Sequence, residues 1–391
     1  MTWPMVKLGE IFKITSGGTP SRSKREYYEN GSIAWIKTGD LHNKFITHAS
    51  EFITEAGLQS SSTRIYPKNT ILVAMYGATI GACSILKIEA CTNQACAAFT
   101  PNEKVDTLFL YYLLKYSQPK FINAGAGGAQ PNISATFLKN FEIPLPPLDE
   151  QKRIAAILDK ADAIRQKRQQ AITLADDFLR SVFLDMFGDP VTNPKGWDEV
   201  ILKDIADIRS GVTKGKIVKD DDAITLPYMR VANVQDGYLD LSSIQEITVS
   251  QKDAKKSMLQ IGDILLTEGG DPDKLGRGHV WNGEIENCIH QNHIFSVRVM
   301  DRDYVRPSFL SSVISSPRGK KYFLKVGKQT TGIATINKTV LSEFLPFIPP
   351  LEMQDKYLGI MKKVKEMPMY SECDYMKLFS SLSQKAFSGQ L

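Results

Sequence analysis

The stretch IPLPPLDEQKRIAAILDKAD, residues 143–162, passes from a proline-rich segment directly into the pattern of an amphipathic helix. Proline is tolerated just before and within the first turn of a helix, where its missing N–H removes no hydrogen bond. Asp149 and Glu150 follow the prolines, and acidic side chains are favourable at the positive end of a helix dipole. A weaker copy of this transition, FIPPLEMQDKYLGIMKKV, occupies residues 347–364. Two such transitions in one chain indicate an internal duplication.

The duplication covers the whole chain. Residues 3–18 align with residues 197–212 at an offset of 194, and residues 132–151 align with residues 335–354 at an offset of 203. Further matched segments are 34–41 with 227–234, 68–85 with 261–280, 91–99 with 288–297, and 178–189 with 378–390. Because a repeat of this extent decides the architecture, the sequence predicts two copies of one design. Each copy has about 150 residues of mixed structure, followed by a helix of about 35 to 40 residues.

Each mixed unit is predicted to be α+β with a compact, strongly bent β-sheet. Short strand-like runs such as TILVAMY (70–76) and DILLTE (263–268) end at glycine-rich turns. One helical segment, residues 106–117, has its counterpart at residues 303–316. The predicted fold is therefore a tandem of two α+β units separated by long helices.

The first long helix is the more regular of the two. Between Ile154 and Val182, apolar residues recur at three- and four-residue spacing, as in a coiled coil. Gly188 suits a C-cap, because glycine readily adopts the left-handed conformation that ends many helices. The pattern predicts a continuous helix from Glu150 to Phe187.

The second long helix is interrupted by Pro368, so a kink or break is expected near Met367. Two apolar stripes in one chain are most economically buried against each other. The tandem repeat makes that pair antiparallel, a coiled coil that separates the two mixed units. The alternative is that each helix packs on its own globular unit.

Composition excludes several classes of protein. The 391 residues are enough for two or three domains, and a content of 42% hydrophobic and 23% charged residues is ordinary for a globular protein. No apolar run approaches the roughly 18 residues of a membrane helix, and the N-terminus lacks a signal-peptide core, so the expected compartment is the cytoplasm, with no membrane partner. The five cysteines form no CxxC pair, which favours reduced thiols over disulfides or a zinc site.

Motifs for catalysis are missing from the sequence. It contains no GxxxxGK[ST], HExxH or GxSxG pattern. GAGGA (125–129) has no βαβ context, HQNH (290–293) lacks further metal ligands, and GGDPDK (269–274) has no acidic counterpart in the first copy. The formal net charge of +5 is compatible with a polyanionic partner. A duplicated, mildly basic chain of this kind is typical of a bivalent binder, and DNA is a target that presents sites at fixed spacing.

Three segments make the chain similar to a known family. PPLDEQKRIAAILDKADAIRQKRQQ (146–170), LADDFLRSVFLDMFGDPVTNPKGW (174–197) and LFSSLSQKAFSGQL (378–391) resemble specificity subunits of type I restriction–modification systems, and the resemblance covers essentially the whole chain. It implies two target-recognition domains, at 1–149 and 188–352, a central conserved helix at 150–187 and a C-terminal one at 353–391.

The resemblance also implies a function and a set of partners. Each recognition domain is expected to read one half of an asymmetric, bipartite site on double-stranded DNA. The helices are expected to set the gap between the half-sites and to dock two methyltransferase (modification) subunits. S-adenosylmethionine for adenine N6-methylation is expected in those subunits, and ATP with Mg²⁺ in a separate restriction and translocase subunit. The chain itself is expected to hold no cofactor or metal and to have no catalytic residue.

Candidate DNA contacts follow from side-chain chemistry and repeat position, because recognition domains of the family vary where specificity resides. Phosphates are contacted by Lys, Arg, Ser, Thr and free N–H groups, and base edges by Arg, Lys, Asn and Gln. The candidates in the first copy are Ser16, Arg22, Lys24, Lys37, Thr38, Tyr76, Thr79, Asn93, Gln94, Gln130 and Asn132. Those in the second are Lys214, Lys216, Arg230, Asn233, Lys274, Arg277, His290, Gln291, Asn292, Lys328 and Thr330. The repeat-matched pairs Lys37/Arg230 and Gln94/Gln291 are favoured, and for each residue the alternative is a structural role in a turn or simple solvation.

Two other functions stay open at this point. The chain could be an enzyme with its own nuclease or methylase centre, which would act on DNA without partner subunits. It could also be a coiled-coil adaptor whose end domains bind proteins, which would recover protein cargo but never DNA.

Overall fold

The computed structural model describes residues 3–125, 132–215, 218–270, 275–330, 333–368 and 375–391. The chain divides into two units. Unit 1 comprises Met1–Gln170 with Glu372–Leu391, and unit 2 comprises Ala171–Ser371.

Unit 1 contains a five-stranded sheet of order β2-β9-β6-β7-β4, a three-stranded sheet of order β5-β3-β8, and the pair β1-β10. The strands are β1 (Met5–Lys7), β2 (Thr15–Ser16), β3 (Ile33–Ile36), β4 (Phe45–Ile46), β5 (Glu51–Ile53), β6 (Ile71–Ala74), β7 (Cys83–Leu86), β8 (Cys91–Thr92), β9 (Cys96–Phe99) and β10 (Glu142–Pro144). The helices are α1 (Leu8–Ile11), α2 (Glu55–Gln59), α3 (Thr107–Gly125) and α4 (Ala135–Asn140), with 3₁₀ turns at Arg25–Tyr27, Thr38–Asp40 and Gly77–Thr79.

The central strands of unit 1 are buried on both faces. In β6, Ile71 and Val73 belong to the apolar cluster that includes α3, whereas Leu72 and Ala74 belong to a second cluster on the opposite face. Successive side chains of a strand point to opposite faces, so a strand covered on both sides reads as a continuous apolar run. This explains why TILVAMY showed no alternation of polar and apolar residues.

The long helix α5 (Leu148–Phe187) has 40 residues, a length of about 60 Å at the usual rise per residue. It begins two residues before the predicted start at Glu150 and ends at the predicted Phe187. Gly188 follows with a φ of +81° and donates its N–H to the carbonyl of Leu184, as a C-capping glycine does.

Unit 2 repeats these sheets with one strand fewer in the large sheet and with one further three-stranded sheet. Its sheets have the orders β12-β19-β15-β17, β14-β13-β18, β16-β21-β20 and β11-β22. The strands are β11 (Asp198–Glu199), β12 (Ala206–Ser210), β13 (Ala223–Met229), β14 (Gln245–Ser250), β15 (Ile264–Thr267), β16 (Gly269–Gly270), β17 (Gly278–Val280), β18 (Ile289–His290), β19 (Ile294–Val299), β20 (Lys328–Thr330), β21 (Ile333–Thr335) and β22 (Phe347–Ile348). The helices are α6 (Leu202–Ile205), α7 (Gln251–Ser257), α8 (Pro307–Ser315), α9 (Pro317–Val326) and α10 (Lys338–Ser342), with 3₁₀ turns at Asp220–Asp222 and Val231–Asn233.

The repeat extends to matched backbone hydrogen bonds. The first strand of each mixed unit pairs with its last, β1 with β10 and β11 with β22. Leu8 donates its N–H to the carbonyl of Phe141 at 3.0 Å, and Leu202 donates to that of Phe344 at 2.8 Å. The first and last segments of each mixed unit are thus held together, immediately before a long helix begins. The predicted tandem of α+β units is confirmed.

The second long helix is divided, as Pro368 predicted. Helix α11 (Leu351–Lys365) ends before the proline, and helix α12 (Tyr375–Phe387) lies beyond it. Residues 369–374 lie outside the described part of the chain.

In unit 1, α12 packs antiparallel to the first half of α5. Arg153, in the second turn of α5, donates to the main-chain oxygen of Leu391 at 2.9 Å, so the end of α12 lies beside the start of α5. Phe387 makes an edge contact with Phe109 of α3, with ring centroids 5.8 Å apart. Helix α12 therefore packs on both the long helix and the mixed domain.

In unit 2, α11 packs antiparallel to the second half of α5. Phe187, at the end of α5, makes an edge contact with Tyr357 in the first half of α11, whereas Ala175 and Leu179 contact Val364 near its end. The predicted antiparallel pairing is therefore present within each unit, together with the packing on the mixed domains that was the alternative.

Candidate nucleic-acid interface

Parallel strand pairs bring candidate DNA contacts together in both units. Trp35 and Ile36 of β3 pair in parallel with Cys91 and Thr92 of β8. Because parallel strands end at the same edge of a sheet, the residues after them become neighbours. These are Lys37 and Thr38 after β3, and Asn93 and Gln94 after β8.

Unit 2 has the same arrangement. Tyr228 and Met229 of β13 pair in parallel with Ile289 and His290 of β18. The residues that leave this edge are Arg230 after β13, and Gln291 and Asn292 after β18.

A glycine lets a third segment reach the same edge. The N–H of Gly18 donates to the carbonyl of Thr92 at 2.9 Å, and that of Val212 donates to His290 at 2.8 Å. A Cβ on Gly17 would lie 1.7 Å from the carbonyl oxygen of Thr92, so only glycine permits this approach. Ser16 and Lys214 are carried to the edge by these segments.

A fourth segment follows the central strands β6 and β15. Met75 donates its N–H to Ala95 at 2.8 Å and accepts from Ile133 at 2.9 Å, which places Tyr76, Thr79 and Asn132 at this edge. In unit 2, Glu268 donates to His293 at 3.0 Å and accepts from Ile336 at 2.8 Å.

Two surfaces result, and they occupy equivalent places in the repeat. Edge 1 consists of Ser16, Lys37, Thr38, Tyr76, Thr79, Asn93, Gln94 and Asn132. Edge 2 consists of Lys214, Arg230, Glu268, Arg277, Gln291, Asn292 and His293.

Edge 1 is joined by an ion cluster centred on Glu51. Arg22 pairs with Glu51 at 2.7 Å, and the ammonium group of Lys37 also donates to Glu51. Hydrogen bonds from Arg22 and then Lys37 hold the pKa of the Glu51 carboxyl below its usual range. The Arg22 guanidinium also lies over the rings of Tyr28 and Trp35, at 4.5 and 4.9 Å from their centroids. A stacked guanidinium loses less conformational freedom when it binds a base or phosphate.

Glu51 and Thr19 are functional candidates that sequence reasoning missed. Thr19 donates a hydrogen bond to the side-chain oxygen of Gln94. Glu51 faces Trp35 across the β3–β5 ladder, and Thr19 reaches Gln94 over 75 residues of sequence. Neither pairing leaves a local sequence pattern.

At edge 2, Arg230 takes the place of Lys37. The N–H of Arg230 donates to the side-chain oxygen of Asn233 at 2.9 Å, as the N–H of Lys37 donates to Asp40 at 2.9 Å. The Arg230 guanidinium donates to the carbonyl of Ser243 at 2.9 Å. Glu268 pairs with His293 at 2.7 Å, which gives edge 2 an acidic group as well.

The structure corrects two candidates. Asn233 is 3% exposed, and its amide nitrogen donates to the carbonyls of Asp240 and Ser243, so it holds a loop rather than facing DNA. His290 is 1% exposed and its Nδ1 is hydrogen-bonded to the carbonyl of Ser257. Burial lowers the pKa of His290, which favours the neutral form of the ring.

The favoured pair Gln94/Gln291 is also corrected, by one residue. Asn93 donates its N–H to Ile36 at 3.0 Å, and Gln291 donates its N–H to Met229 at 3.0 Å. Asn93 is therefore the counterpart of Gln291, and Gln94 that of Asn292. The pair Lys37/Arg230 occupies equivalent positions, as the sequence indicated.

The remaining candidates are placed as follows. Lys24 lies in an exposed loop and donates to the hydroxyl of Tyr27 at 3.0 Å. Arg277 accepts the N–H of Thr267 at 3.0 Å, beside the end of β15. Gln130, Lys216 and Lys274 lie outside the described residues. Lys328 and Thr330 lie in β20, for which the structure describes the backbone only.

Groups for other chemistry are sparse in the described ranges. They contain no cluster of three or more His, Cys, Asp or Glu side chains that could hold a metal ion. Cys83, Cys91, Cys96 and Cys288 are buried and unpaired, and burial raises the pKa of the Cys96 thiol to about 12. Among the described helices, none is long and apolar enough to span a membrane.

Known proteins resemble this chain over its whole length. A family model described as the type I restriction modification DNA specificity domain matches residues 1–174 and again residues 194–367. The chain is 26% identical over 394 residues to the type I restriction enzyme MjaIX specificity subunit of Methanocaldococcus jannaschii, covering 93% of this chain and 91% of that one. It is 34% identical over 162 residues to the EcoR124I/EcoR124II specificity subunit of Escherichia coli, covering 40% of each.

The fold is also known. A crystal structure of the type I restriction–modification S subunit from M. genitalium has a TM-score of 0.58 at 16% identity, with 99% of this chain and 96% of that chain covered. Because the family model matches both copies of the repeat, the family expected from the helix segments is confirmed. The chain belongs to the type I restriction–modification DNA specificity family.

Proposed function

We propose that this chain is the DNA-reading subunit of a type I restriction–modification complex, with residues 1–149 reading one half of a bipartite site and residues 188–352 the other. The observation that carries the proposal is the equivalence of the two edges. In each copy, two parallel strands deliver a basic residue beside amide side chains, Lys37 beside Asn93 and Arg230 beside Gln291. Basic and amide side chains are the ones that read base edges in the major groove.

Within each edge, the roles divide by chemistry. Ser16, Thr38, Thr79 and Lys214 have hydroxyl or ammonium groups suited to phosphates, which fix the register of a protein on the duplex. Lys37, Asn93, Gln94, Arg230, Gln291 and Asn292 are proposed to read bases. Arg22 is placed by its stacking to contact either a base or a phosphate beside them.

The long helices are proposed to set the gap between half-sites and to dock two methyltransferase subunits. Support comes from large apolar side chains of α5 that are exposed to solvent. Ile164 is 48%, Leu174 69% and Phe178 52% exposed. Exposed apolar side chains of this size on one helix fit a surface that binds another protein.

Catalysis is proposed to reside outside this chain. S-adenosylmethionine would be held by the methyltransferase subunits for adenine N6-methylation, and ATP with Mg²⁺ by the restriction and translocase subunit. The chain would contribute the choice of sequence and the placement of those subunits on DNA.

The test uses the full chain assembled with methyltransferase subunits. Mapping methylated adenines in cells that carry the complex gives the site, and duplexes with and without that site are then compared for retention at increasing salt. We expect a preference for the site, and binding that weakens steeply with salt because phosphate contacts release counterions. Equal retention of all duplexes would contradict the proposal, as would methylation by the chain alone with S-adenosylmethionine.

A further inference from the structure

Two buried glutamines occupy the same position in the first turns of the long helices. Gln151 of α5 is 1% exposed and Gln354 of α11 is 0% exposed. They are separated by the repeat offset of 203. A buried amide without hydrogen bonds would destabilise the fold, so each glutamine must have partners. Those partners show the role of the two side chains.

Gln151 joins three parts of unit 1. Its side-chain oxygen accepts the N–H of Asp106 at 2.9 Å, just before α3. Its side-chain nitrogen donates to the carbonyl of Lys104 at 3.1 Å and to that of Pro146 at 2.9 Å. One amide thus connects three segments: the loop before α3, the proline-rich segment between β10 and α5, and α5 itself.

Gln354 repeats this arrangement atom for atom. Its oxygen accepts the N–H of Arg306 at 2.9 Å, just before α8. Its nitrogen donates to the carbonyl of Tyr304 at 3.1 Å and to that of Pro349 at 2.8 Å. In both copies every partner is a main-chain group, so the joint is independent of the side chains at positions that differ between the copies, such as Lys104 and Tyr304.

We infer that Gln151 and Gln354 are positioning residues, which fix the angle at which each long helix leaves its recognition domain and thereby limit the spacer lengths that the protein accepts. The inference rests on the proposed DNA-reading function. A fully satisfied buried network is rigid, because breaking any one bond leaves an unpaired polar group. An apolar residue at these positions would fill the space, but it would not fix the angle between the long helix and its recognition domain.

The two joints differ in one respect. In unit 2, Arg306 also forms a two-pronged ion pair with Asp355, at 2.7 and 2.9 Å. In unit 1, position 306 is matched by Asp106, whose carboxylate caps α3 by accepting the N–H of Phe109 at 2.9 Å. We therefore expect the first joint to depend more on its glutamine than the second.

The experiment uses Gln151→Met and Gln354→Met in the full chain assembled with methyltransferase subunits. Methionine is similar in length and makes no comparable hydrogen bonds. Lys152→Met and Lys356→Met are matched controls, because they change neighbouring exposed residues of the same two turns. Binding is measured on duplexes that keep both half-sites and change the spacer by one or two base pairs in either direction.

We expect the preference for the native spacer over the altered ones to fall by about tenfold in Gln151→Met, and by less in Gln354→Met, with the half-site preference and the controls unchanged. A lower melting temperature with an unchanged spacer preference would assign the glutamines to stability alone and overturn the inference. If a methionine variant does not assemble, Gln151→Asn and Gln354→Asn decide the question in the same way, since they keep the amide and shorten its reach. Failure of the unmodified complex to prefer its site would contradict the proposed function instead.

Discussion

Glu51 is an acidic residue beside the proposed DNA-reading surface of edge 1. It holds Arg22 beside Lys37 of edge 1, although its negative charge repels DNA. The ion pairs fix the positions of the two cations, and the carboxylate partly neutralises their positive charge. A duplex must therefore offer acceptor groups that compete with the Glu51 carboxylate for Arg22 and Lys37. This requirement lowers the affinity for DNA of arbitrary sequence.

We expect Glu51→Gln to raise non-specific DNA affinity and to lower the preference for the site by several-fold. The change frees Arg22 and Lys37 to contact phosphates, which should make the salt dependence steeper by about one to two released ions. Retention of site and non-site duplexes across a salt series measures both effects. Glu29→Gln is the matched control, because Glu29 is exposed and pairs only loosely, at 4.0 Å, with Arg25. An equal effect of both variants would indicate net charge rather than the cluster.

The same carboxylate gives a prediction about pH. Because hydrogen bonds from Arg22 and Lys37 hold the pKa of Glu51 below its unfolded value, its contribution to stability is present above that unfolded pKa. It is lost as the pH falls through the lowered pKa of the folded state. We expect the difference in melting temperature between the wild-type protein and Glu51→Gln to shrink over this acidic interval. A difference that stays constant across the titration would contradict the assignment.

At the scale of elements, two glycines set the position of the edges. Gly17 and Gly211 occupy equivalent places, and an added Cβ would lie 1.7 Å from the oxygen of Thr92 and 1.9 Å from that of His290. These contacts are with strand backbone, which cannot shift without disturbing the parallel pair.

We expect Gly17→Ala to destabilise unit 1, and Gly211→Ala unit 2, by about 1–3 kcal/mol each, as overpacking does. Thermal unfolding measures the loss. Gly39→Ala and Gly359→Ala are the controls, since a Cβ at either position meets nothing within 4 Å. Full stability of the two edge variants would contradict the close approach described above.

The sequence predicted some elements well, for identifiable reasons. Helix α5 was predicted to within two residues because its apolar stripe, acidic first turn and Gly188 all agree. The end of α11 before Pro368 follows from the geometry of proline. Asn233 and His290 were assigned to DNA from side-chain chemistry and repeat position, and only the tertiary structure shows that both are buried.

The shift from Gln94/Gln291 to Asn93/Gln291 has a similar origin. The sequence alignment matched Cys91 with Cys288, whereas the ladders place Cys91 beside Trp35 and Ile289 beside Tyr228. Side-chain identity and strand register are separate signals, because register is set by the hydrophobic pattern of the strands and by the geometry of the turns.

At the scale of the whole molecule, the central helix is a single element shared by both units, with residues 148–170 in the first and 171–187 in the second. Under the proposed function, the length of this helix sets the gap between the half-sites.

We expect a heptad inserted after Gln169, with seven residues added between Lys365 and Tyr375, to lengthen the gap by about three base pairs. Seven helical residues rise about 10.5 Å, and a base pair rises about 3.4 Å. Mapping methylated adenines reports the gap and the half-sites together. The control is a seven-residue insertion at Gly283, in the loop that follows β17 at the end of the strand away from edge 2. Altered half-site sequences, or an unchanged gap, would contradict the role of the helix.

The composition of unit 1 has a consequence for how the protein is made. Its core takes in Ala386 and Phe387 of α12, while unit 2 is contiguous from Ala171 to Ser371. Domains generally fold as units while the chain emerges from the ribosome. Residues 1–170 emerge first but must wait for residues 372–391 before their core is complete, whereas unit 2 has all its residues by then. We therefore expect the segment that is synthesised first to complete its core last.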